Sequence, residues 1–191
     1  MRKIASNNKT TIFVCIIFVL IYVLNICIGN DIIFNALSGS GFKKLNGEVY
    51  RIFTASFLHA NLLHLVANII ALLAVGSFLE KRLGALNMLL IYIASDMIAS
   101  LMFYGYMNEC TNGNGSSIAI YAMFAVLLVL WLRYPEKYVL TWKSPALFYI
   151  IIYFFAASIY SGNFTTMIIH SFGFITGIIV GLCLLRRQGG T

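Results

Sequence analysis

Six apolar runs dominate this chain. They cover residues 11–28, 62–79, 86–107, 117–132, 145–160 and 164–185, each bounded by polar, glycine or charged residues. About 20 predominantly apolar residues span a bilayer as a helix. A chain of 191 residues therefore has room for six crossings joined by short connections, and none for a second soluble domain. Only 10% of the residues are charged and 61% are hydrophobic, against about 25% and 45–50% in a soluble domain. Too little polar surface remains to coat a soluble globule. This excludes an ordinary cytosolic enzyme, a disordered chain and a nucleic-acid-binding domain. The expected fold is an all-α polytopic membrane protein with six transmembrane helices. Residues 1–10 and 186–191 form short tails, residues 11–185 form one membrane domain, and residues 29–58 make a long connection.

The net charge of +7 is read as topology, because Lys and Arg concentrate in cytoplasmic loops. With both termini inside, the inner segments hold Arg2, Lys3, Lys9, Lys81, Arg82, Arg133, Lys137, Lys143, Arg186 and Arg187. The outer segments hold only Lys43, Lys44 and Arg51. The 29–58 connection is then external, and its Phe34, Leu37, Phe42 and Leu45 suit a membrane surface. The first run is longer than a signal-peptide core and no small-residue cleavage site follows it, so it reads as a retained helix. Cys15, Cys27, Cys110 and Cys183 have neither metal-site nor redox-pair spacing and read as packing residues. No cofactor is implied.

Polar side chains inside a bilayer are expensive and are functional candidates by default. His64 and Asn68, four residues apart, share a helix face. Ser117 opens the fourth run, and His170 lies in the sixth. Depth can be counted from the cytoplasmic charges. His64 is about 16 residues from Glu80, Ser117 from Arg133, and His170 from Arg186. At 1.5 Å per residue each lies about 24 Å above the inner face of a core about 30 Å thick.

A serine and a histidine at one depth suit a nucleophile and its general base, since a neutral hydroxyl reacts poorly until its proton is removed. Asn68, His64 and the Ser117 backbone N–H could stabilise an oxyanion. No carboxylate is spaced to complete a triad. After His170 come Gly173, Gly177 and Gly181, spaced by four residues from one glycine to the next, a flat stripe that admits a close neighbour. Ser117, Tyr121 and Ala125 share a face of the fourth run. The fourth and sixth helices should therefore pack face to face, with Ser117 within hydrogen-bond reach of His170 and Tyr121 against the imidazole.

These residues resemble the rhomboid intramembrane serine proteases, from about Glu48 to Leu185. The resemblance rests on Glu48-Val49-Tyr50-Arg51, Phe57-Leu58-His59, His64-Leu65-Val66-Ala67-Asn68, Glu80-Lys81-Arg82-Leu83-Gly84, Gly115-Ser116-Ser117, and His170 with Gly173 and Gly177. It implies a six-helix core and a Ser117–His170 dyad. It also implies an oxyanion hole from His64, Asn68 and Ser117, and cleavage of a substrate's transmembrane segment. Two positions depart from the family pattern. Ile118 stands where Gly usually follows the nucleophile, and Tyr50-Arg51 replaces Trp-Arg. Ser116 is the rival hydroxyl, but Ser117 holds the motif position.

Other readings are blander. Membrane serines commonly bond neighbouring helices, and His64 and Asn68 could do the same. A zinc site from His59, His64 and His170 is disfavoured, because a five-residue spacing takes His59 and His64 off one helix face. His59 is placed in the external connection or at the interface, without chemistry, and Asp96 is given a hydrogen-bonded structural role. The alternative function is a catalytically inactive rhomboid-like protein that binds membrane helices. A transporter or channel subunit ranks last, since Asp96 alone offers a mid-membrane charge. The partners implied are a transmembrane protein substrate and the lipid bilayer, with no nucleic acid and no metal. A bacterial inner membrane suits this minimal form.

Overall fold

The computed structural model describes residues 8–110, 112–138, 152, 155–156 and 163–188. The order is α1 (Lys9–Ile28), α2 (Asn30–Leu37), α3 (Tyr50–Thr54), one 3₁₀ turn (Ala55–Phe57), α4 (Leu62–Leu83), α5 (Ala85–Tyr106), α6 (Ser117–Arg133) and α7 (Phe164–Gln188). Among the described residues there is no strand, only an antiparallel bridge between Gly39 and Gly113. By length and composition α1, α4, α5 and the Phe164–Leu185 part of α7 can cross a membrane, and α6 is a shorter apolar helix. The expectation of helical membrane spans thus holds for four long helices. The 145–160 run, expected as a further crossing, lies outside the described residues except at positions 152, 155 and 156.

Helix boundaries follow local chemistry. Asn61 caps α4 by accepting the His64 N–H at 2.9 Å, satisfying one of the orphan donors of the first turn. α4 then runs on through Glu80, Lys81 and Arg82, four residues beyond the apolar run that ended at Leu79. These charged side chains are good helix formers, and the helix stops only at Gly84, whose φ of +87° turns the chain into α5. The Asn163 side chain accepts the N–H groups of Thr165 and Thr166 and starts α7. α6 ends at Arg133, ahead of Pro135, which cannot continue a helix.

The distribution of apolar surface is that of a membrane bundle. α6 is apolar on every side and buried throughout residues 117–127, as expected of a central helix. The surrounding helices turn large apolar side chains outward, among them Phe13 and Leu20 on α1, Leu63 on α4, Leu90 on α5 and Ile179 on α7. Such surface suits hydrocarbon rather than water. Glu80 is fully buried yet well served. It accepts the Thr10 N–H at 3.0 Å, the Thr11 N–H at 2.9 Å and the Thr11 hydroxyl at 2.6 Å. A carboxylate at a helix N-terminus satisfies free donors and complements the helix dipole, so this one residue fastens α4 to the start of α1.

The 29–58 connection is folded. Arg51 donates to the Asn35 carbonyl at 2.5 Å and to the Ser38 carbonyl at 2.8 Å, and pairs with Glu48 at 2.9 Å. The reciprocal Gly39–Gly113 hydrogen bonds, at 2.8 and 2.9 Å, join it to the segment that precedes α6.

The helix pair that meets most extensively is α6 with α7. A Cβ added to Gly173 would lie 2.5 Å from the Ile118 carbonyl oxygen, and one added to Gly177 would collide with the Ala122 carbonyl. The expected face-to-face packing of these two helices is therefore present, and it is a backbone-on-backbone contact. Gly177→Ala should destabilise the fold by about 1–3 kcal/mol, read as a lowered Tm in detergent. Gly105→Ala, whose nearest neighbour would be Phe42 at 3.4 Å, should leave Tm close to that of the parent.

Candidate active site

Ser117 is the first residue of α6. The chain reaches it through Gly115, whose φ is +98°, a region open to glycine and costly for other residues. A Cβ there would also fall 2.6 Å from His64 Nε2. Glycine is thus required twice over, by the turn and by the imidazole packed on it. The Gly115 N–H donates to the Ala55 carbonyl at 3.0 Å, which fixes the turn against the 3₁₀ segment. As a first-turn residue, Ser117 has a backbone N–H without an intrahelical acceptor, at the positive end of the helix dipole.

His170 comes from α7. Its Nε2 lies 2.9 Å from Ser117 Oγ. The imidazole stacks on Tyr121 with ring centroids 4.2 Å apart and planes inclined by 16°. Tyr121 in turn meets Phe155 edge to face at 4.9 Å and Phe124 at 6.3 Å. Gly173, one turn from His170, allows the approach that closes the Ser117–His170 distance. Ser117 itself retains only 9% of its surface.

His64 and Asn68 complete the cluster. Asn68 Nδ2 donates to the His64 carbonyl at 2.8 Å, and Asn68 Oδ1 accepts the Ser116 hydroxyl at 3.3 Å. The structure thus gathers Ser117, His170, Tyr121, Gly115, Gly173, His64 and Asn68 into one region of the bundle, with Gly177 in the helix contact beneath. Ser116, read only as a rival hydroxyl, is engaged by Asn68. Ile118 is buried, and its carbonyl forms the surface against which Gly173 packs.

His59 lies in the connection between the 3₁₀ turn and α4, where it was expected. It is buried, with its ring 5.0 Å from Phe18 and 5.2 Å edge to face from His64. Burial lowers its pKa to about 3, with help from the neighbouring His64, so it stays neutral at physiological pH. The aromatic and histidine neighbours that draw it inward come from α1 and α4, beyond the reach of local pattern. Asp96 accepts the Ser56 hydroxyl, in keeping with the hydrogen-bonded role expected of it. Among the described residues no group of three or more His, Cys, Asp or Glu side chains is placed to hold a metal.

The overlap with His64 should be separable from backbone strain. Gly115→Ala is expected to cost about 1–3 kcal/mol. Part of that loss should return in Gly115→Ala/His64→Ala, measured by unfolding in mixed micelles.

A family model described as the rhomboid domain matches residues 46–187. RHOMBOID-like protein 1 of Arabidopsis thaliana is 32% identical, over 73% of this chain and 36% of its own length. Inactive RHOMBOID-like protein 8 of the same plant is 32% identical, over 53% of this chain and 30% of its own. Rhomboid protease GlpG of Salmonella choleraesuis is 30% identical, over 66% of this chain and 44% of its own. The chain therefore spans less than half the length of each of these relatives. The matched region runs from the folded 46–58 segment through α7 and holds every residue of the site. The chain belongs to the rhomboid family of integral membrane proteins.

Proposed function

We propose that this protein is an intramembrane serine endopeptidase that cuts the transmembrane segments of other membrane proteins. The observation that carries this reading is the 2.9 Å approach of His170 Nε2 to Ser117 Oγ, inside a bundle with apolar outer faces. His170 takes the hydroxyl proton as Ser117 Oγ attacks the scissile carbonyl carbon. The C=O π electrons move to oxygen, and the Ser117 backbone N–H, with Asn68 and His64 at its edge, stabilises that charge. Collapse of the tetrahedral intermediate breaks the C–N bond, and His170 returns the proton to the leaving amine. Water, deprotonated by His170, then hydrolyses the acyl-serine ester and frees Ser117. Tyr121 holds the imidazole plane throughout. Neither a metal nor a cofactor enters this scheme.

The substrate is a single-span membrane protein, cut near the outer face where α6 begins, and small residues in a weakly helical stretch would fit this site best. Its lateral entry past the 145–160 run falls on a segment that lies outside the described residues except at positions 152, 155 and 156. Both termini are cytoplasmic by the charge asymmetry, and a bacterial inner membrane suits the chain. A second reading, an inactive protein that binds membrane helices, is favoured by one observation, the relative named as inactive. Against it, both Ser117 and His170 are present and in contact here.

The purified protein in detergent or liposomes should cleave a single-span reporter. Ser117→Ala and His170→Ala should each lower kcat/KM by at least about a thousandfold, with Tm retained. Cleavage that survives in either folded variant would remove the dyad. No cleavage by the parent across a panel of reporters, with binding of those reporters retained, would favour the inactive reading.

A further inference from the structure

Asp96 lies midway along α5 and is 98% buried by its 2% relative exposure. Among the described residues it has no ion pair with Lys or Arg. Its Oδ2 accepts the Ser56 hydroxyl across 40 residues of sequence, and its Oδ1 has no hydrogen-bond partner among the described residues. A carboxyl group at this depth is costly, and helix packing alone would be served by an alanine or leucine. Among the described residues its one side-chain hydrogen bond goes to the 3₁₀ turn Ala55–Phe57. The neighbouring Ala55 carbonyl accepts two N–H groups there, Leu58 at 3.2 Å and Gly115 at 3.0 Å. Gly115 occupies the left-handed turn two residues before Ser117.

We infer that Asp96 is a positioning residue for the proposed nucleophile: through Ser56 it anchors the 3₁₀ turn whose Ala55 carbonyl holds Gly115, and so sets where Ser117 Oγ stands relative to His170. The α6–α7 contact reaches α6 at Ile118, and the turn ahead of it, at Gly115, lies outside that contact. That entry is fastened by the Ala55–Gly115 hydrogen bond, and the 3₁₀ turn is fastened to α5 by Ser56 and Asp96. A displacement of about 1 Å in a reacting atom is enough to cost a large factor in rate. The inference rests on the peptidase reading for its catalytic consequence, but not for its structural one.

The test compares Asp96→Ala, Ser56→Ala, their double variant and Asp96→Asn in the full-length protein. Amide exchange should show Gly115 about tenfold less protected in both alanine variants. The Gly41 amide, which donates to the Cys110 carbonyl at 2.9 Å in the outer connection, should be unchanged. Asp96→Asn keeps an acceptor for Ser56 and should retain most of the protection. In reporter cleavage, kcat should fall about tenfold with KM unchanged in the alanine variants, and the double variant should be no worse than either single one. Unchanged Gly115 protection in both folded single variants would overturn the inference, as would additive losses in the double variant. Equal loosening of Gly115 and Gly41 would also overturn it, by showing a global effect. If the parent cleaves no reporter, the peptidase reading fails, and the exchange data still decide the anchoring role.

Discussion

The site depends on one contact, the laying of α7 against α6, with no side chain between the backbones at Gly173 and Gly177. Gly173 faces the Ile118 carbonyl and Gly177 faces the Ala122 carbonyl. In hydrocarbon no water is released when two apolar helices meet, so close packing and small residues carry association. Backbone contact at these two glycines leaves little freedom in the separation or register of the helices. His170 sits one turn from Gly173 and Ser117 one residue from Ile118, so the same contact that joins the helices brings Nε2 to 2.9 Å from Oγ. A single added methyl group at this seam would act on fold and site together.

Around that contact, the chain meets the cost of polar groups in an apolar medium by giving them specific partners. Glu80 accepts three hydrogen bonds at the start of α1. Asn68 spends its amide on the His64 carbonyl and the Ser116 hydroxyl. Asp96 accepts from Ser56. Apart from the Asn68–His64 bond, which lies within α4, these bonds join elements or turns far apart in sequence, so the polar residues act as cross-links within an otherwise apolar bundle. Ser117 and His170 differ in that their mutual contact can also serve chemistry.

Much of this arrangement was legible in the sequence, because a membrane helix is a rigid ruler. Counting residues from Arg133 and Arg186 set Ser117 and His170 at one depth, and the glycine spacing after His170 named the face on which the helices meet. Features set by distant partners were not legible. The 29–58 connection read as a long apolar-rich loop. In fact α2 and α3 are tied together by Arg51, whose acceptors lie 13 and 16 residues away. The inward turn of His59 needs Phe18 from another helix. The engagement of Ser116 by Asn68 spans 48 residues. α4 extends four residues past the 62–79 apolar run, because hydropathy falls at Glu80 while helix propensity does not. Gly115 carried a readable signal, a glycine just ahead of a helix start, but its second role beneath His64 requires the fold.

In the proposed dyad His170 makes Ser117, and no other hydroxyl, a nucleophile. Treatment of the folded protein with a serine-directed fluorophosphonate, followed by peptide mass mapping, tests it most directly. The adduct is expected on Ser117 and should disappear in His170→Ala, with Ser116 unmodified. An adduct on Ser116, or labelling of Ser117 undiminished without His170, would contradict it.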